Sequence, residues 1–141
     1  MNNFEIDERL KNDCHLLGRI GNSHLLLMNN SLVPWFILVP ETEQTEWYLL
    51  EDEVQASVTD AINWMSEYIN TRYQPDKINV ASIGNIVKQM HIHIVGRFET
   101  DYCWQGVVWG AEGKQAYSAG QVQVIKSELI DSLEDLFQPS E

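Results

Sequence analysis

Basic residues are scarce in this chain. Nine Lys and Arg stand against 21 Asp and Glu, a net charge of −12. A protein that grips a nucleic-acid backbone needs a basic face, so no nucleic-acid partner is expected. The deficit does not exclude a small anionic ligand, because backbone N–H groups and a few cations hold a phosphate locally even on an acidic protein. Cysteine is nearly absent. Cys14 and Cys103 lie 89 positions apart and no CxxC pair exists, so a thiolate zinc site has no support. Two isolated thiols fit a reducing cytoplasm. No apolar run reaches eighteen residues, which predicts no membrane span. The acidic opening "MNNFEIDERL" lacks the basic start and apolar stretch of a secretory signal.

What remains is 141 residues, 44% of them hydrophobic, enough for one domain over 1–141 with a core of its own. "FEIDERLKNDCHLL" has roughly helical spacing. "GRIGNSHLLLMNN" reads as two short strands around Gly21-Asn22-Ser23, and "PWFILVP" as a strand bounded by Pro34 and Pro40. In "EDEVQASVTDAINWMSEYINTRY" apolar residues recur every three or four positions. Glu51, Asp52 and Glu53 crowd its start and Pro75 follows its end, which predicts a long helix. "KINVAS" and "VKQMHIHIVGR" read as two further strands. The stretch from 98 to 138 reads as a long loop with four glycines and two tryptophans, then an amphipathic helix over "VIKSELIDSLEDLF". The order predicts an α+β fold. It has an antiparallel sheet of about five strands, a long helix between strands 3 and 4, and a C-terminal helix, with helices on one face.

The stretch "QMHIHIVGR", Gln89 to Arg97, carries the chemistry. Alternate residues of a strand share a face, so Gln89, His91 and His93 lie together while Met90, Ile92 and Ile94 face a core. Three readings fit. The histidines are solvent-facing strand residues; or they are two ligands of a zinc site whose other ligands come from His15, His24, Cys14 or a carboxylate; or one is a nucleophile that attacks phosphorus while neighbouring donors steady the phosphate oxygens.

With Gly84-Asn85 five residues upstream, "QMHIHIVGR" resembles the signature of the histidine-triad family of nucleotide hydrolases and transferases, His-φ-His-φ-His-φ-φ with φ apolar. The similarity extends to bacterial diadenosine-tetraphosphate hydrolases. It covers about residues 5–110, with the signature strand near 87–97. Gln89 stands at the first histidine, His91 at the second and His93 at the third. The resemblance implies that His91 attacks the α-phosphorus of a nucleotide to form a covalent nucleotidyl-histidine. It implies that His93 contacts the phosphate or leaving group, that Asn85 contacts phosphate, and that Asn29 or Asn30 holds the ribose hydroxyls. The base would lie among Leu25, Leu27, Trp35 and Ile37. Arg97 would meet a distal phosphate, Asn79 would orient the phosphate turn, and Trp104 and Trp109 would close over the site. His15 and His24 read as structural. Ile86 replaces a common hydroxyl residue, and Gln89 cannot share a proton as histidine does. The expected substrate is a dinucleoside polyphosphate or nucleoside phosphoramidate, cleaved by a cytoplasmic homodimer without metal or cofactor. A metal-dependent hydrolase and a non-catalytic nucleotide binder are the alternatives.

Overall fold

The computed structural model describes residues 3–141. A short helix α1 (Glu8–Asp13) leads into β1 (Cys14–Ile20), β2 (Ser23–Met28) and β3 (Trp35–Pro40). The long helix α2 (Asp52–Tyr73) follows, then β4 (Lys77–Ser82), β5 (Ile92–Arg97), α3 (Ala119–Leu133) and β6 (Phe137–Pro139). All neighbouring strands pair antiparallel, in the order β4-β5-β3-β2-β1-β6. The α+β class and the long helix between the third and fourth strands are as expected. The sheet has six strands rather than about five. The extra one is the three-residue β6, where the C-terminal helix was expected to continue.

Two boundaries moved for identifiable reasons. The first helix was expected to run through Leu17 but stops at Asp13, and β1 starts at Cys14. β1 carries a bulge: its pairing passes from Leu16↔Leu26 to Gly18↔Leu25. The extra residue lets Leu17 be fully buried while Leu16 is 49% exposed. That breaks the two-residue alternation by which a strand is read. Gly18 then admits β6, since a Cβ there would lie 2.1 Å from the Gln138 carbonyl oxygen. At the other end, α3 begins at Ala119, earlier than the apolar pattern implied. Ser118 and Gln121 form a capping box that satisfies the first free N–H groups.

The two faces of the sheet are covered differently. Val58, Met65 and Ile69 of α2 and Ile125 and Leu129 of α3 pack on Leu25, Leu27, Phe36, Ile92 and Ile94. Each such side chain buried contributes roughly 1.5–3 kcal/mol, so this face holds the fold. On the opposite face Leu26, Trp35, Ile37 and Val95 are covered by Ile6 and Leu10 from the N-terminal segment and Val108 from the long loop. Loops and a six-residue helix close only part of that face, and the histidines open onto it. No helix of the described residues is long and apolar enough to cross a membrane.

Candidate active site

Met90, Ile92 and Ile94 enter the core beneath the helices, and His91 and His93 emerge on the other side. Their rings lie 5.0 Å apart, edge to face. The strand pairing starts at Ile92, so His91 sits in the extended residue just before β5. Both rings are nearly buried, at 6% and 5% exposure.

Hydrogen-bond partners assign the protons. His91 Nδ1 lies 2.7 Å from the carbonyl oxygen of Gln89. A carbonyl only accepts, so Nδ1 carries the proton and Nε2 keeps its lone pair. In His93 the assignment is reversed. Trp35 Nε1 donates to His93 Nδ1 at 3.0 Å, so the neutral ring carries its proton on Nε2. Burial pushes the His93 pKa down to about 3, with the neighbouring His91 adding to the effect. His93 is therefore a neutral donor at pH 7, beside the His91 ring, whose Nε2 makes no hydrogen bond among the described residues.

Both histidines line a cleft of about 680 Å³, within the range of sites that hold a small organic ligand. Trp35, Tyr102 and Trp109 make its aromatic wall. Trp109 packs edge to face on Trp35 and His93, with centroids 6.2 and 5.3 Å away. Arg9, Lys114, Asp13 and Asn85 supply its polar rim. Among the described residues Lys114 makes no ion pair. Arg9 is anchored, donating to the Ile86 carbonyl at 3.1 Å and to Asp7.

Gln89 contributes differently from a third ring. Its side chain faces the N-terminal segment, donating to the Glu5 carbonyl and accepting from the Asp7 N–H, both at 2.8 Å. The part that reaches the site is its main-chain carbonyl, which orients His91.

Several expected residues lie elsewhere. Arg97 is 1% exposed; its Nε and Nη2 donate to Asp101 and its Nη1 donates to Asn79 Oδ1 at 3.1 Å. Neither Arg97 nor Asn79 is free to meet a phosphate. Trp104 stacks over the Arg97 guanidinium at 5.7 Å and is not part of the cleft lining, whereas Trp109 is. Asn29 Oδ1 accepts from Tyr117 N–H and pairs with His15, tying the long loop to β2. Asn30 does line the cleft, but its Oδ1 accepts from Leu32 and Gln115 N–H and its Nδ2 donates to Gly113. Leu25 and Leu27 point into the helix-covered core, one side of the sheet away from the cleft. Ile37 underlies the cleft face and Trp35 lines it. His15 and His24 are structural: His24 stacks on Phe4 and meets Glu41 at 3.3 Å.

Arg9, Asp13, Tyr102 and Lys114 were not legible as site residues, because they arrive from segments far apart in the chain with no local motif. The density of glycine and tryptophan in the long loop marked it as important without showing which side chains face inward. A metal site would need a third ligand beside the two histidines. Among the described residues no group of three or more His, Cys, Asp or Glu side chains is placed to hold an ion. The Cys14 thiol is pushed up to about 12 by burial and by Asp13, which disfavours the thiolate a metal requires.

The sequence profile of the HIT domain matches residues 9–100. A histidine triad protein from Marinobacter aquaeolei VT8 is 37% identical, with 94% of this chain and 98% of that one aligned at a TM-score of 0.88. One from Sinorhizobium meliloti 1021 is 31% identical, covering 92% and 97%, also at 0.88. One from Bradyrhizobium japonicum is 32% identical, covering 91% and 96%, at 0.86. No curated protein gives a significant match. With the family profile over most of its length and relatives aligned nearly end to end, this chain belongs to the histidine-triad (HIT) domain family.

Proposed function

We propose that the protein hydrolyses a nucleoside phosphate derivative, a dinucleoside polyphosphate or a nucleoside phosphoramidate, at the α-phosphorus through a covalent nucleotidyl-His91 intermediate. The observation that carries this reading is the opposed proton placement on the two rings. His91 Nδ1–H is held by the Gln89 carbonyl, which leaves Nε2 as a nucleophile, and His93 is held neutral with its proton on Nε2.

The Nε2 lone pair of His91 forms the N–P bond as the bond from phosphorus to the leaving group breaks. The departing electron pair goes with a nucleoside polyphosphate anion, or with an amine whose nitrogen takes a proton from solvent as the P–N bond breaks. His93 Nε2–H donates to a non-bridging oxygen as charge builds there. Water then attacks phosphorus, the N–P bond breaks, its pair returns to Nε2, and the water's proton passes to solvent. Arg9 and Lys114 offset the phosphate charge and Asn85 offers an amide. Asp13 is the acceptor for ribose hydroxyls, in place of Asn29. Trp35 and Trp109 flank the base. His91→Ala should lower turnover of diadenosine tetraphosphate by roughly 10³-fold or more; hydrolysis at the wild-type rate would show that the nucleophile is another group.

The same reading includes a homodimer. β4 is an outer strand with one edge unpaired, and Val80 on it is 48% exposed, the kind of edge that proteins cover by pairing. Light scattering should give twice the mass of 16.3 kDa; a monomer at micromolar concentration would refute it.

A further inference from the structure

A second cleft borders His91. It is lined by Thr45, Glu46 and Trp47, which lie between β3 and α2, and by Gly84 and Lys88 from the connection before the signature. Ile83, Asn85 and His91 line both this cleft and the one that holds Trp35 and Trp109. The nucleophile thus stands where two clefts meet. A substrate with its reacting phosphorus at His91 and its nucleoside in the aromatic cleft has a second space for its other half.

We propose that this second cleft is the leaving-group subsite and that it favours a nucleoside phosphate, with Lys88 meeting phosphate charge and Trp47 stacking on the base. The inference rests on His91 being the nucleophile. Trp47 is 39% exposed and is followed by Tyr48 at 78% and Leu49 at 48%, a run of large apolar side chains turned to solvent. Such a patch marks a contact surface more often than chance. The segment is pinned: Trp47–Leu49 forms a single 3₁₀ turn, and the Trp47 carbonyl accepts from Leu50 N–H and from Gln55 Nε2, both at 3.1 Å. The ring is thereby presented from a fixed backbone. Among the described residues Lys88 makes no ion pair, so its charge is open to a ligand. Glu46 repels phosphate, which places the phosphates toward Lys88 and leaves Glu46 to accept from ribose hydroxyls. A small amine leaving group would use neither the cation nor the ring.

The subsite is read by binding, independently of bond cleavage. His91→Asn protein is titrated in a calorimeter with adenosine monophosphate and with diadenosine tetraphosphate. The dinucleotide should bind about tenfold more tightly, the scale of one stacked base. Trp47→Ala and, separately, the surface variant Lys88→Ala should each shrink that preference several-fold. In the active protein the same two variants should lower the ratio of kcat/KM for diadenosine tetraphosphate over adenosine phosphoramidate. Equal affinity for the two nucleotides, or a preference that both variants retain, overturns the subsite while leaving His91 chemistry intact. Absence of binding by either nucleotide overturns both.

Discussion

The two ends of β5 bury polar side chains in opposite ways. At one end Arg97 is 1% exposed and satisfied on all sides, by Asp101 through two nitrogens, by Asn79 and by Cys103 Sγ at 3.4 Å. Burial pushes the Asp101 carboxyl up, but Arg97 and the N–H groups of Phe98 and Cys103 outweigh that and hold it at about 2. At the other end His91 and His93 are almost as buried, yet among the described residues each has only one ring nitrogen engaged. A saturated buried pair fixes structure. A buried ring with one nitrogen fixed and the other unclaimed is oriented for reaction. Burial and charge alone do not separate the two; the unspent hydrogen-bonding capacity does.

That contrast is broken most severely at the saturated end. Asp101→Ala leaves the Arg97 charge buried without a partner and should cost about 3–5 kcal/mol of stability, measured by urea unfolding. A loss under 1 kcal/mol would mean that Arg97 finds water or another acceptor. At the histidine end, Trp35→Phe removes the donor to His93 Nδ1 and should cost about 1–3 kcal/mol. NMR titration should also show the His93 pKa rising toward its ordinary value, since Nδ1 is then free to take a proton. An unmoved titration would assign the depression to burial and the neighbouring His91, with no part for Trp35.

The two ends should also separate by pH. His93 titrates below its ordinary 6.5, so the unfolded chain binds the extra proton. Its contribution is present above about pH 6.5 and fades as pH falls toward 3. Asp101 is depressed from 3.8 to about 2, so its contribution survives until pH drops below about 4. Thermal unfolding should therefore weaken from pH 6.5 downward in the wild type, and that upper part of the loss should be smaller in His93→Phe. The smallest effect is expected at Gln89, two residues before His91. Gln89→Ala removes two hydrogen bonds to the N-terminal segment, about 1–2 kcal/mol, but keeps the carbonyl that orients His91. Turnover should fall less than tenfold, and a larger fall at unchanged stability would give the Gln89 side chain a direct part in the reaction.

Much of the histidine end was legible in the sequence because a strand alternates with period two. Met90, Ile92 and Ile94 fell on the core side and His91 and His93 on the other, as the spacing requires. The long helix was legible from its apolar period and its acidic start. The saturated end was not. Arg97 looks like any arginine closing a strand, and its partner Asp101 lies in the turn beyond, outside any periodic pattern. The first part of β1 read as helix, because the bulge at Leu17 places two leucines side by side. The cleft walls escaped for a different reason: Arg9, Tyr102 and Lys114 meet only after the N-terminal segment and the long loop fold over the same face. Such proximity is a property of the tertiary fold and leaves no spacing to read.

The central claim is that His91 Nε2 becomes covalently bonded to phosphorus. The direct test is to mix the protein with nucleotide derivatives, quench within a turnover, and map the peptides by mass spectrometry. The account predicts a nucleoside monophosphate adduct on His91 that is absent from His91→Ala. Turnover with no adduct at any quench time, or with an adduct on another residue, would contradict it.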